Sequence, residues 1–273
     1  MKPLSASRHS IRNQVGCPGS NPAYVHWDTR FMPIPYFISI DSFRSHPDLL
    51  DGIRPSFEAW RNIDSLGVDF LPMGCTRSRT NENDGVNSII LVTDHWDFAP
   101  EAIAVTRNFF VGCESSYAGQ ILDSDILLNG VDHTFSLGPS TSAHDVQNIL
   151  THEIGHFLGL GHETSDGDPE STMWASADFF ETKKRTPKET DSQGVRANYP
   201  MVIPKSAPYE GMDCSPTSTA TFACSAVGPQ SRAGVDLGPL MALLIPLSVW
   251  VRKSRTAKSD TTPTATISGA IPF

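Results

Sequence analysis

No two of the five cysteines (Cys17, Cys75, Cys113, Cys214, Cys224) form a C-x-x-C pair. That excludes the usual thiolate zinc sites, whose ligands come in close pairs. Basic charge is also scarce: 21 Lys and Arg stand against 30 Asp and Glu, a formal net charge of −9. A nucleic-acid partner is excluded by that balance. No apolar run reaches bilayer length. The C-terminal "LGPLMALLIPLSVWV" (237–251) would span about 22 Å as a helix, short of a core of about 30 Å. The start, "MKPLSASRHSIRNQVGC", is basic but lacks an apolar stretch of signal-peptide length. Either this is not the natural start or export takes another route. No internal repeat is visible.

What is present reads as one globular domain with appendages. Apolar residues make up 39% and charged residues 19% of 273 positions, enough to bury a sizeable core. The cysteines read as disulfides of an exported protein, secreted or held at the cell surface. Cys214 and Cys224 are expected to close a short local loop, two of the other three to pair, and one to be left over. Residues 1–16 are polar and read as a flexible N-terminus, and 17–200 as the domain. Pro, Ser, Thr and Gly make 201–234 a linker holding the local cysteine pair. Residues 235–255 combine the apolar run with "RKSR" (252–255) and resemble a sorting or anchoring signal of bacterial surface proteins. The alternative is an amphipathic segment packed on the domain. The Thr- and Ser-rich tail 256–273 is expected to be disordered.

Apolar patterning predicts strands at 36–40, 68–72, 88–93, 102–110 and 120–128. Leu49, Leu50, Ile53, Phe57, Trp60 and Ile63 follow helical spacing over 49–64, with an irregular or late first turn imposed by Pro55. A second helix is expected from Ser142 as N-cap, with Asp145 favouring its first turn. Its apolar face is Val146, Ile149, Leu150, Ile154, Phe157 and Leu158.

That second helix carries the chemistry. "HEIGHFLGLGH" (152–162) spaces three histidines by four and then six residues. His152 and His156 share one helix face, Cβ atoms roughly 5–6 Å apart, and their rings can converge on one zinc ion at about 2.0–2.1 Å. In a continuing helix His162 would lie about 9 Å further along, out of reach. The chain must therefore turn back, and Gly159 can adopt the left-handed conformation that ends a helix, with Gly161 adding freedom. Three imidazoles leave a fourth position for water, which marks a catalytic rather than a structural site. Glu153 can take the water's proton and hand it to a leaving amine. The reaction class is metal-assisted hydrolysis of an amide.

H-E-x-x-H-x-x-G-x-x-H is similar to the signature of the metzincin zinc endopeptidases. Met173, in "STMWAS" (171–176), matches that group's methionine turn, which supports the zinc without ligating it. From about Cys17 to Pro200 the chain most resembles a bacterial matrixin-type protease, through "AIAVTRN", "GQILDSDILLNG", "HDVQNILTHEIGHFLGLGH", "STMW" and "DSQGVRANYP". The resemblance implies an α+β fold: a twisted, mostly parallel sheet with an antiparallel edge strand lining the cleft, and the active-site helix beneath. It also implies a monomeric endopeptidase whose protein substrate lies extended along that edge strand. His152, His156 and His162 would bind one catalytic zinc, with Glu153 as general base and then acid. The alternatives are a non-catalytic binding module and an astacin-like enzyme.

Several positions depart from the family. Glu163 follows the third histidine as in astacins, but the astacin tyrosine after the methionine is absent. His95 and Asp97 match half of a second, structural zinc site, while Val105 or Thr106 and Ile121 stand where its other histidines belong. That site is read as lost, with His95 a surface or turn residue. Asp123 and Asp125 fall where the family places calcium carboxylates; the alternative is a solvated strand face. His133 reads as a hydrogen-bonded loop histidine. The residues before Cys17 are not read as a full propeptide. "VGCPGSNP" around Cys17 bears only a faint likeness to the inhibitory cysteine motif, so Cys17 reads as a disulfide partner or an idle thiol. Trp174, Phe179 and Phe180 are candidates to shape the substrate pocket.

Overall fold

The computed structural model describes residues 11–17, 22–63, 67–77, 81–163 and 166–206 in full, and 263–270 as backbone. The apolar run at 237–251, Cys214 and Cys224 lie outside these residues. No described helix is long and apolar enough to cross a membrane.

A short N-terminal ladder joins β1 (Gln14–Val15) to β2 (Ala23–Tyr24). The main sheet then takes β3 (Ile34–Ser39), β4 (Phe70–Thr76), β5 (Ser88–Val92), β6 (Ala104–Val111) and β7 (Ile121–Asn129). A second short ladder pairs β8 (Phe135–Ser136) with β9 (His144–Asp145), and β10 spans Pro263–Ala270. The helices are α1 (Ile53–Arg61), α2 (Val146–Phe157) and α3 (Glu189–Asn198).

Sheet order is β10-β6-β7-β5-β3-β4. β4, β3, β5 and β7 run parallel, whereas β6 is antiparallel to β7, with Ala104 opposite Leu128 and Thr106 opposite Ile126. The expected mostly parallel sheet with an antiparallel strand on one side is thus present. β10 lies outside β6 in turn, Pro263 opposite Val111 and Ser268 opposite Thr106. The tail that composition assigned to disorder therefore contributes a strand. Its Thr and Ile residues suit a strand once a partner edge is supplied.

Helices α1 and α2 press apolar faces on the sheet. Phe57 of α1 stacks on Tyr36 of β3, ring centroids 3.8 Å apart. Trp60 is fully buried and donates from Nε1 to Thr151 O of α2 at 2.7 Å, which ties the helices together. A 3-10 turn, Pro47–Gly52, precedes α1, and Pro55 sits in the first α-turn where its missing N–H costs nothing.

The start of α2 departs from expectation. Its N-cap is Asp145, not Ser142: Asp145 Oδ1 accepts from Asn148 N at 2.8 Å. His144 and Asp145 are held extended by the ladder with Phe135 and Ser136, so the helix cannot begin earlier. Arg185 Nε also donates to Asp145 Oδ1, at 2.7 Å.

Cys17 and Cys113 form a disulfide, which disposes of an idle thiol at Cys17. Cys75 is disulfide-bonded as well. Its partner lies outside the described residues, as do the two cysteines that the sequence reading joined to each other.

Candidate metal centre and active site

α2 places His152 and His156 one turn apart on a buried face. After Phe157 the helix closes on Gly159, whose φ is +82°. Gly159 N donates to His156 O at 2.8 Å and Leu160 N to Gly155 O at 2.9 Å. A Cβ at 159 would stand 2.0 Å from Val25 O, so the position requires glycine for its backbone angle and for its close approach. Gly161 meets a different constraint. A Cβ there would lie 2.8 Å from Asn13 Oδ1, and Asn13 Nδ2 donates to Leu160 O at 2.9 Å. The returning loop is thus stitched to the N-terminal segment.

The turn brings His162 back to the other two. His156 Nε2 is 3.0 Å from His152 Nε2 and 3.2 Å from His162 Nε2. Tetrahedral zinc ligands at 2.0–2.1 Å from the metal are about 3.3 Å apart, so the donor set fits the ion. The other ring nitrogens settle the tautomers. His152 Nδ1 donates to Thr172 O at 2.6 Å and His156 Nδ1 to Leu160 O at 2.8 Å, leaving each Nε2 lone pair facing inward. Burial, reinforced by the neighbouring rings, holds His152 well below its usual pKa and His156 down at about 3. Burial, with a contribution from Lys184, brings His162 to about 4. All three are neutral, as ligands must be. Among the described residues this is the only gathering of three or more His, Cys, Asp or Glu side chains able to hold a metal.

Glu153 is fully buried, and burial raises its carboxyl to about 8. Its Oε2 accepts from Thr106 Oγ1 at 2.6 Å, while Oε1 has no hydrogen-bond partner among the described residues.

Met173 lies under the helix, fully buried. A Cβ on Gly155 would stand 2.2 Å from its Sδ, so the glycine between the two helical histidines makes room for the thioether. Sequence reasoning missed this role. It also missed Asp191 of α3, whose carboxylate accepts from Thr172 N at 2.9 Å, Ser171 Oγ at 2.5 Å and Met173 N at 3.2 Å. Asp191 thereby holds the methionine turn whose Thr172 carbonyl orients His152. The advance signal was its place at the head of "DSQGVRANYP", a stretch that carries the family resemblance without assigning the aspartate a role.

Other candidates lie apart. His95 pairs with Asp97 at 3.0 Å, both exposed. His133 Nε2 donates to Pro100 O at 2.9 Å, a loop hydrogen bond as expected. Asp123 and Asp125 are not on a solvated face: both are fully buried. Phe179 packs its ring 4.6 Å from that of His144, and Phe180, with φ +67°, points largely to solvent. Lys184 is buried, donating to Trp174 O at 3.0 Å.

The matrixin family model matches residues 93–200. Matrix metalloproteinase-16 of Homo sapiens and of Mus musculus are each 26% identical over 158 residues, 56% of this chain and 24% of theirs. Metalloendoproteinase 1 of Glycine max is 39% identical over 61 residues, 22% of this chain and 19% of its own. The chain thus spans about a quarter of the length of the mammalian relatives it matches. The match to the matrixin model runs through the histidine helix, the methionine turn and α3, so residues 93–200 are similar to a matrixin domain.

Proposed function

We propose that the chain is a zinc-dependent endopeptidase that hydrolyses internal peptide bonds of proteins. The observation that carries this is the convergence of three inward-facing Nε2 atoms beside a buried glutamate with one unengaged oxygen. A zinc ion in such a site supplies Lewis-acid polarisation of the scissile carbonyl and a water pKa lowered towards about 7. Glu153 takes a proton from the attacking water on Oε1 and passes it to the departing amine. His152, His156 and His162 would hold the ion, their rings fixed by Thr172 and Leu160 carbonyls.

An extended substrate is supported by β6, which already accepts an antiparallel strand, β10, through backbone bonds and reaches Glu153 through Thr106. The Cys17–Cys113 disulfide supports an oxidising, extracytoplasmic setting. Calcium belongs to the proposal at Asp123 and Asp125, whose Oδ1 and Oδ2 respectively are buried without a partner among the described residues.

Metal analysis combined with a peptide-library digest, with and without chelator, tests the reading. The expected result is one zinc per chain and cleavage inside peptides that chelation abolishes. Glu153→Gln should keep the zinc and lose turnover by about 10²–10⁴-fold. Zinc binding without turnover in the unaltered chain would instead favour a binding module.

A further inference from the structure

Two β6 side chains on one face, two residues apart, hydrogen-bond to α2. Asn108 Nδ2 donates to His156 O at 2.9 Å, and Ser124 Oγ holds Asn108 Oδ1 at 2.6 Å. Thr106 is the other contact. Its Oγ1 lies 2.6 Å from Glu153 Oε2 and 3.0 Å from Glu153 O, and both residues are fully buried. Nothing in the metal-binding motif requires a hydroxyl at 106, because the three ligands and Glu153 come from α2 and the loop after it.

We propose that Thr106 is the positioning residue of Glu153, its hydroxyl fixing Oε2 so that Oε1 is the oxygen that receives the water's proton. This rests on the endopeptidase reading and deepens it. A hydroxyl has one proton to give, and the nearer and stronger acceptor is the carboxylate oxygen. With Oε2 so occupied and Oε1 without a partner among the described residues, the two oxygens are no longer equivalent. On proton transfer a water O–H bond breaks and an H–Oε1 bond forms, the electron pair remaining on the water oxygen. Oε2 is still an acceptor afterwards, so the bond from Thr106 persists and the carboxyl group need not rotate between taking the proton and returning it. A buried carboxylate without this anchor would be free to turn about its terminal torsion, which is broad for glutamate.

Two substitutions separate positioning from packing. Thr106→Val keeps the volume and removes the hydroxyl; Thr106→Ser keeps the hydroxyl and leaves a methyl-sized gap. If Thr106 only packs, Ser is the worse change. If it positions Glu153, Val is. In the full chain we expect Thr106→Val to retain one zinc per chain and its KM while kcat falls about 10- to 100-fold, with Thr106→Ser restoring most of it. In the infrared, the Glu153 carboxylate band, assigned by difference against Glu153→Gln, should shift in Thr106→Val and not in Thr106→Ser. Wild-type kcat in Thr106→Val, or an equal loss in Thr106→Ser, overturns the inference. Turnover that survives Glu153→Gln overturns instead the endopeptidase reading beneath it.

Discussion

Asp123 and Asp125 sit two apart on β7, sealed from solvent, each satisfied on one side only. Asp84 N donates to Asp123 Oδ2 at 3.2 Å and Ser88 N to Asp125 Oδ1 at 2.8 Å. Burial, with the charge of Asp123 added, raises Asp125 to about 8, and burial raises Asp123 to about 6. The sign follows from proton counting. Between about pH 4 and pH 8 the folded chain holds a proton that the unfolded chain has released, so stability is full at the acid end and is lost as pH rises through that window. Asp125→Asn keeps the acceptor for Ser88 and removes the charge. In calcium-free buffer at pH 8 it should stabilise the fold by on the order of 2 kcal/mol, the gain shrinking as pH falls and vanishing below about pH 4. Thermal melts across pH measure this. Calcium should restore wild-type stability at pH 8 and do nothing for Asp125→Asn; an equal response of both proteins would remove calcium from these carboxylates. These burials were not legible in the sequence, because an aspartate at alternate positions of a strand reads as a wet face until the partner strand is known. The histidines were legible for the opposite reason. Their spacing has meaning on one helix and one turn, with no distant contact needed. Thr106 and Asp191 act across long stretches of chain, and nothing local marks them.

At the scale of elements, the site depends on how α2 ends. The strands over β3 to β7 and the helix face of α2 follow from apolar periodicity, and the structure places them within a few residues of that reading. The ends do not follow from periodicity, because they are set by neighbours. The start of α2 is fixed by the ladder between Phe135–Ser136 and His144–Asp145, and its finish by the passing backbone of Val25. Gly159→Ala therefore carries two costs, a left-handed angle and a collision with Val25 O. Gly85 provides the control, since its φ is +77° and a Cβ there meets nothing within 4 Å. Gly85→Ala should show only the angular cost, about 1–2 kcal/mol, whereas Gly159→Ala should lose clearly more and bind zinc more weakly. Chemical denaturation and a zinc competition titration give both quantities. Equal losses at the two sites would mean that the contact with Val25 does not matter.

For the molecule as a whole, the edge strand is the point of tension. β6 is the strand on which an extended substrate would be laid, yet its outer edge carries β10 from Pro263 to Ala270. An edge strand left bare invites other chains, and pairing it with a segment of the same chain removes that hazard. The same pairing competes with any peptide that uses those backbone groups. A competitor within the chain acts at fixed effective concentration, independent of how dilute the protein is. Composition could not reveal this, because a Thr- and Ser-rich tail acquires a strand only where an unpaired edge awaits it. Thr266, opposite Asn108, offers a test without truncation. Proline there removes a ladder donor and fixes φ, which a paired strand tolerates poorly. If β10 holds the edge in solution, Thr266→Pro should speed hydrogen exchange along β6 and lower KM several-fold with kcat unchanged. A synthetic peptide of residues 262–270 added to that variant should raise KM again. Unaltered exchange along β6 would mean that the edge is open in the native chain, and the substrate then meets no rival there.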